Sequence, residues 1–126
     1  MKGYTDIEQS KKLAEILPLE SADMYYFLDP TPAGNIYHLT VKRVDVGIKN
    51  LPQYGEGDIP CWSLAALFSL IKDKCGYFEF VYLKRTFDGR ANPLEDVYRL
   101  STDVYDVYNK EAVDACVEMI EKLYKE

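Results

Sequence analysis

The chain predicts an α+β fold: an antiparallel sheet of about four strands with helices packed on it, ordered α-β-β-α-β-β-α, in a single domain covering residues 1–126. Three observations carry that reading. Residues 59–71, Ile59-Pro60-Cys61-Trp62-Ser63-Leu64-Ala65-Ala66-Leu67-Phe68-Ser69-Leu70-Ile71, form the most apolar run, and a helix there would be apolar on nearly every face, as buried helices are. Four stretches, 24–28, 36–48, 77–87 and 97–108, are rich in aromatic and β-branched residues and lie between turn formers. Both ends of the chain carry helix-start signals ahead of apolar stripes.

The first helix is expected over 5–17. Thr5 and Glu8 have capping-box spacing, Ile7, Ala14 and Leu17 share a face, and Pro18 pushes Leu17 away from helical angles. Residues 24–28 read as a short strand. The run Asp29-Pro30-Thr31-Pro32-Ala33-Gly34-Asn35 is a turn, and 36–48 is the second arm of a hairpin. Within that arm Tyr37, Leu39 and Val41 share one face, then Val44, Val46 and Ile48 take the other, so a bulge is expected at Lys42-Arg43. Residues 47–60, with Gly47, Pro52, Gly55, Gly57 and Pro60, read mostly as loop.

Ser63 is the expected N-cap of the central helix, with Trp62 and Leu67 at staple spacing and Gly76 as the stop; a start at Asp58 with Pro60 in the first turn is the alternative. Residues 77–87 are apolar on both parities, which predicts a central strand. Asp88-Gly89 offers a turn. Asn92-Pro93-Leu94-Glu95 fits a helical turn, while 97–108 reads as one strand by residue type. Asn109 is the expected cap of the last helix, whose stripe is Val113, Cys116, Val117, Ile120 and Tyr124.

The bulk composition narrows function. The net charge is −6 and the pI near 4.8. The only basic pairs are Lys11-Lys12, Lys42-Arg43 and Lys84-Arg85, which argues against nucleic-acid binding through phosphates. No apolar run is long enough to span a bilayer, and the first residues lack the apolar stretch of a signal peptide, so neither membrane insertion nor export is expected. Cys61, Cys75 and Cys116 have no C-x-x-C spacing, which predicts reduced thiols in a cytoplasm.

Candidate chemistry is sparse. Cys61 precedes a helix start, where the dipole can favour a thiolate, but a base would have to come from His38, the single histidine. A buried inert thiol is the expectation for Cys61, and a half-wet strand position for His38. Asp103 and Asp106, three apart in a strand, would point to opposite faces. Asp23 with Asp29, and Glu56 with Asp58, lack the spacing of a metal site. Gly55-Glu56-Gly57 lacks a third glycine and a following Lys-Ser/Thr, and Glu56 would repel a phosphate. No catalytic, cofactor-binding or metal residue is assigned, and no cofactor is expected. The 11 tyrosines are the unusual feature. Tyr25, Tyr26, Tyr37, Tyr77, Tyr82, Tyr98, Tyr105 and Tyr108 fall on or beside expected strands, either as half-buried strand residues or as an aromatic contact face for a partner.

Three blocks together resemble a known group. Residues 4–26 run Tyr4-Thr5-Asp6-Ile7-Glu8-Gln9-Ser10 into Leu13-Ala14-Glu15-Ile16-Leu17-Pro18 and end Ala22-Asp23-Met24-Tyr25-Tyr26. The second block is 59–67, and the third is Val113-Asp114-Ala115-Cys116-Val117-Glu118-Met119-Ile120-Glu121-Lys122-Leu123. They cover about a third of the chain and resemble small uncharacterised proteins encoded by gut anaerobic bacteria and their prophages or integrated elements. In that group an Asn-Pro directly precedes the last block; here Asn92-Pro93 stands upstream and Asn109-Lys110-Glu111 fills the slot, so the residues between read as an insertion. The resemblance carries over no catalytic residue and implies a mobile-element setting inside a bacterial cell. The expectation is a non-enzymatic binding or accessory protein acting through a protein partner; the alternative is a small enzyme with a thiol or carboxylate centre.

Overall fold

The computed structural model describes residues 3–41, 57–83 and 97–124. The fold is α+β, with three helices and two three-stranded antiparallel sheets among those residues. The expectation of about four strands in one sheet is corrected: among the described residues six strands divide between two sheets. The elements are α1 (Ile7–Ala14), β1 (Met24–Thr31), β2 (Gly34–Val41), β3 (Ile59–Cys61), α2 (Leu64–Cys75), β4 (Glu79–Leu83), β5 (Val97–Ser101), β6 (Asp106–Asn109) and α3 (Ala112–Tyr124). The strand orders are β2-β1-β3 and β4-β5-β6.

Helix α1 is capped one residue later than expected. Asp6 accepts from the Gln9 backbone N–H at 2.8 Å, and the Gln9 side chain accepts from Asp6 N–H at 3.1 Å. Thr5 is fully buried instead, its backbone N–H donating to Trp62 O at 3.0 Å. The helix closes at Ala14, and Leu17 N–H still reaches Leu13 O at 2.8 Å before Pro18. Strand β1 runs on through Asp29-Pro30 to Thr31, so the turn narrows to Pro32-Ala33 ahead of Gly34. Gly34 has φ +130° there, open to glycine and strained for other residues. The expected bulge at Lys42-Arg43 and the rest of that arm to Ile48 lie outside the described residues, as do Asp88-Gly89 and Asn92-Pro93-Leu94-Glu95.

Part of the apolar run is a strand. Residues Ile59, Pro60 and Cys61 pair with Tyr26, Tyr25 and Met24. A short apolar run is compatible with either state, and a partner far along the chain decided it. Ser63 is the cap of α2, as expected: its Oγ accepts from Ala66 N–H at 3.2 Å. Asp23 supports it, accepting from Ser63 N–H at 2.9 Å and from Ser63 Oγ. Gly76 ends the helix at φ 77° with its N–H on Lys72 O at 2.7 Å. Trp62, Leu67, Leu70 and Ile71 are buried, but Ala65 and Ser69 face outward, so α2 is enclosed on one side only.

Two further expectations are corrected. Strand β4 is an edge, not a centre, of its sheet among the described residues. Apolar residues on both parities report what the two faces carry, not whether both edges are paired. Residues 97–108 form a hairpin and not one strand. Thr102 N–H donates to Tyr105 O at 2.8 Å, while Thr102 Oγ1 accepts from Tyr105 N–H at 3.0 Å; a threonine side chain competing for the backbone in this way makes a turn. Asn109 organises the entry to α3 by accepting from Glu111 N–H at 3.0 Å, and the helix itself begins at Ala112.

The main core joins Leu13, Leu17, Trp62, the inner face of α2, Leu100 and Val107 of the second sheet, and the α3 stripe. Gln9 Nε2 donates to Asp114 Oδ1 at 2.7 Å, tying α1 to α3. A smaller cluster of Tyr26, Ile59 and Cys61 lies under the first sheet, with Ile7 packed against it.

Candidate partner-binding face

The thiol–imidazole pairing does not form. Cys61 is opposite Met24 and His38 is opposite Phe27 across β1. Directly paired residues share a face, and residues three apart on one strand do not, so Cys61 and His38 lie on opposite sides of the first sheet. His38 is exposed, with Nε2 3.2 Å from Asp29 Oδ2. Cys61 is fully buried beside Thr5, its Sγ donating to Thr5 O at 3.3 Å. Burial pushes the Cys61 thiol pKa up, and burial pushes the Cys116 thiol up to about 12. Both are therefore protonated thiols at neutral pH. With a thiol reagent at pH 8, Cys75, which is half-buried, is expected to be the one of the three cysteines to react in the native protein. Cys61 and Cys116 become reactive only in denaturant; native labelling of Cys61 would contradict the burial argument.

The carboxylates do not converge either. Asp23 holds the α2 cap, Asp29 meets His38, and Asp58 Oδ1 accepts from Leu28 N–H at 2.9 Å. Glu56 is outside the described residues. Asp103 lies in the β5–β6 turn, while Asp106 opens β6. No group of three or more metal-ligating side chains occurs among the described residues. An open depression of about 370 Å³ includes Lys74, Cys75, Asp103, Tyr105 and Lys122. Its two ammonium groups lie over aromatic rings, Lys74 5.0 Å from the Tyr124 centroid and Lys122 5.7 Å from that of Tyr105.

The tyrosines divide between the two readings. Tyr26 is buried, its hydroxyl donating to Thr5 O at 2.6 Å, and Tyr25, Tyr37, Tyr98 and Tyr105 are half-buried. Tyr77, Tyr82 and Tyr108 are exposed. Tyr108 belongs to a built surface. The register of the second sheet places Phe80, Leu100 and Val107 in one row against the helices. Val81, Arg99 and Tyr108 form the next row, on the outer face. Leu83 and Val97 flank that row on one side and Glu79, Ser101 and Asp106 on the other. Val81 is 39% and Tyr108 56% exposed.

Arg99 stands at the centre of this face. Its Nη2 donates to Asp106 Oδ1 at 3.2 Å, and its Cζ is 5.9 Å from the Tyr108 ring centroid. Asp106 also accepts from Ser101 Oγ at 2.5 Å. The Ser101 hydrogen bond first, and then Arg99, hold the Asp106 carboxyl below its ordinary pKa. Asp106 thus stays ionised and keeps the guanidinium oriented. Arg99 Nε is buried without a hydrogen-bond partner among the described residues. Sequence reasoning had not singled out Arg99. The signal was present in the alternation Val97-Tyr98-Arg99-Leu100-Ser101, which sends the odd positions outward.

No family model, curated protein or solved structure matches the chain. No helix among the described residues is long and apolar enough to cross a membrane.

Proposed function

We propose that this chain is a non-enzymatic binding or accessory protein of a bacterial mobile element, acting in the cytoplasm through a protein partner. The observation that carries the reading is the outer face of the second sheet, where Tyr108 and Arg99 lie in one row with exposed Val81. Tyrosine and arginine are the residue types that concentrate binding energy at protein interfaces. A face with an oriented guanidinium at its centre suits a partner presenting a carboxylate within an apolar rim. The net charge of −6 favours a protein over a nucleic acid as that partner. The separation of Cys61 from His38 weighs against a thiol enzyme, and the mobile-element setting rests on the resemblance of the three sequence blocks.

The test is affinity capture from a bacterial lysate with wild type, R99E and Y108A, and with Phe27→Ser on the first sheet as a control. A protein retained by wild type and by the control, and reduced about tenfold or more by both face variants, is the expected result. Equal retention by all four proteins, or none by wild type, would sink the proposal.

A further inference from the structure

The depression of about 370 Å³ between the last turns of α2 and α3 and the β5–β6 turn shares no residue with the outer face of the second sheet. We propose that it binds a small organic anion, an apolar body carrying a carboxylate. Its walls include Lys74 from α2, Lys122 from α3 and Asp103 from the turn. Two ammonium groups thus stand against a single carboxylate, a local excess of positive charge in a chain of net charge −6. A cleft lined by one sign of charge concentrates ions of the other sign.

Neither ammonium makes an ion pair among the described residues. Each is held over a ring instead, Lys74 at 5.0 Å from the Tyr124 centroid and Lys122 at 5.7 Å from that of Tyr105. A ring fixes a cation in place without neutralising it, so both charges remain open to a ligand. The stop of α2 does not draw on Lys74 either, because Gly76 N–H supplies it by donating to Lys72 O at 2.7 Å. The remaining wall is apolar. Val104, at 76% the most exposed large apolar side chain among the described residues, lines it together with Leu123 and Tyr105. An apolar wall with a few placed charges is the usual make-up of a small-ligand site, and the volume lies in the usual range of about 300–1,000 Å³. The mouth is open, so the affinity is modest, with a dissociation constant on the order of 1 mM. Cys75 also lines the depression and serves as a reporter.

The test compares two aromatic disulfides on Cys75: dithiobis(nitrobenzoate), which carries two carboxylates, and dithiodipyridine, which is neutral. In each case the Cys75 thiolate attacks one disulfide sulfur, forming a mixed disulfide and releasing the aryl thiolate. The rate with the anionic reagent is expected to level off as its concentration rises, while the rate with the neutral one stays linear. In K74Q/K122Q the ratio of the two rates falls about tenfold. A changed thiolate fraction at Cys75 alters both rates alike, so the ratio reports binding alone. Both lysines are exposed, and the double variant retains the fold, which circular dichroism checks. A second measurement does not need the thiol and decides alone if Cys75 reacts with neither reagent. Titration with nitrobenzoate to about 10 mM is expected to shift the backbone amide resonances of Thr102, Asp103 and Val104 saturably in wild type and not in K74Q/K122Q. A rate ratio equal in wild type and double variant overturns the proposal, as do wild-type amides that do not move.

Discussion

Trp62→Ala is expected to lower folding stability by about 3–5 kcal/mol, the usual loss for a large aromatic deleted from a packed interior. Trp62 is fully buried at the junction of α1, α2 and α3. Its indole N–H donates to Ser21 Oγ at 2.9 Å, fixing the short helical turn Leu19–Ser21 against the core. Against a typical total of about 5–15 kcal/mol, roughly a fifth or more of the stability goes with this side chain. Urea unfolding followed by circular dichroism measures it, because the substitution removes the single tryptophan that fluorescence would report. Trp62→Phe, which refills much of the volume and loses the N–H, is expected to fall between the two. A loss for Trp62→Ala below about 1 kcal/mol would mean the site collapses freely, and the central role given to this residue would be wrong.

The second large effect comes from a hydroxyl. Thr5 Oγ1 lies 2.7 Å from Ser10 Oγ and accepts from Trp62 N–H at 3.2 Å, and both Thr5 and Ser10 are fully buried. Thr5→Val keeps the shape and removes the oxygen. The Trp62 N–H and the Ser10 hydroxyl then lose a partner where water does not reach, at a cost of about 1–3 kcal/mol. Ser10→Ala leaves Thr5 free to accept from Trp62 and is expected to cost less. The double variant T5V/S10A should be less destabilised than the two losses added, because one shared hydrogen bond is counted in both. Urea midpoints for the four proteins give the coupling directly. A neutral Thr5→Val would show that this buried polar group was never needed to join the first residues to α2.

The same threonine marks the boundary of what local pattern could reveal. Thr5 and Glu8 had the spacing of a capping box, yet Asp6 and Gln9 form it. Both pairs satisfy the local rule. The choice fell to burial, since Thr5 was drawn inside by its bonds to Trp62 and Ser10. Arg99 was missed as a candidate for a related reason. Its place in an alternating strand was visible, but its alignment with Val81 and Tyr108 required the register of two other strands.

What the amino-acid sequence determined by itself was the set of features decided within about one helical turn or one strand pair. These are the α+β composition, the Ser63 cap and Gly76 stop of α2, the hairpin of β1 and β2, and the α3 stripe. Tertiary structure alone decided that Ile59, Pro60 and Cys61 are a strand, that β4 lies at the edge of its sheet among the described residues, and that Cys61 and His38 face apart. The first and the last depend on a strand partner distant along the chain, Met24 for Cys61, and the second on which strands the sheet places beside β4. The apolar pattern of a segment fixes which side chains leave water, whereas the neighbour that covers them is chosen by the packing of the whole molecule.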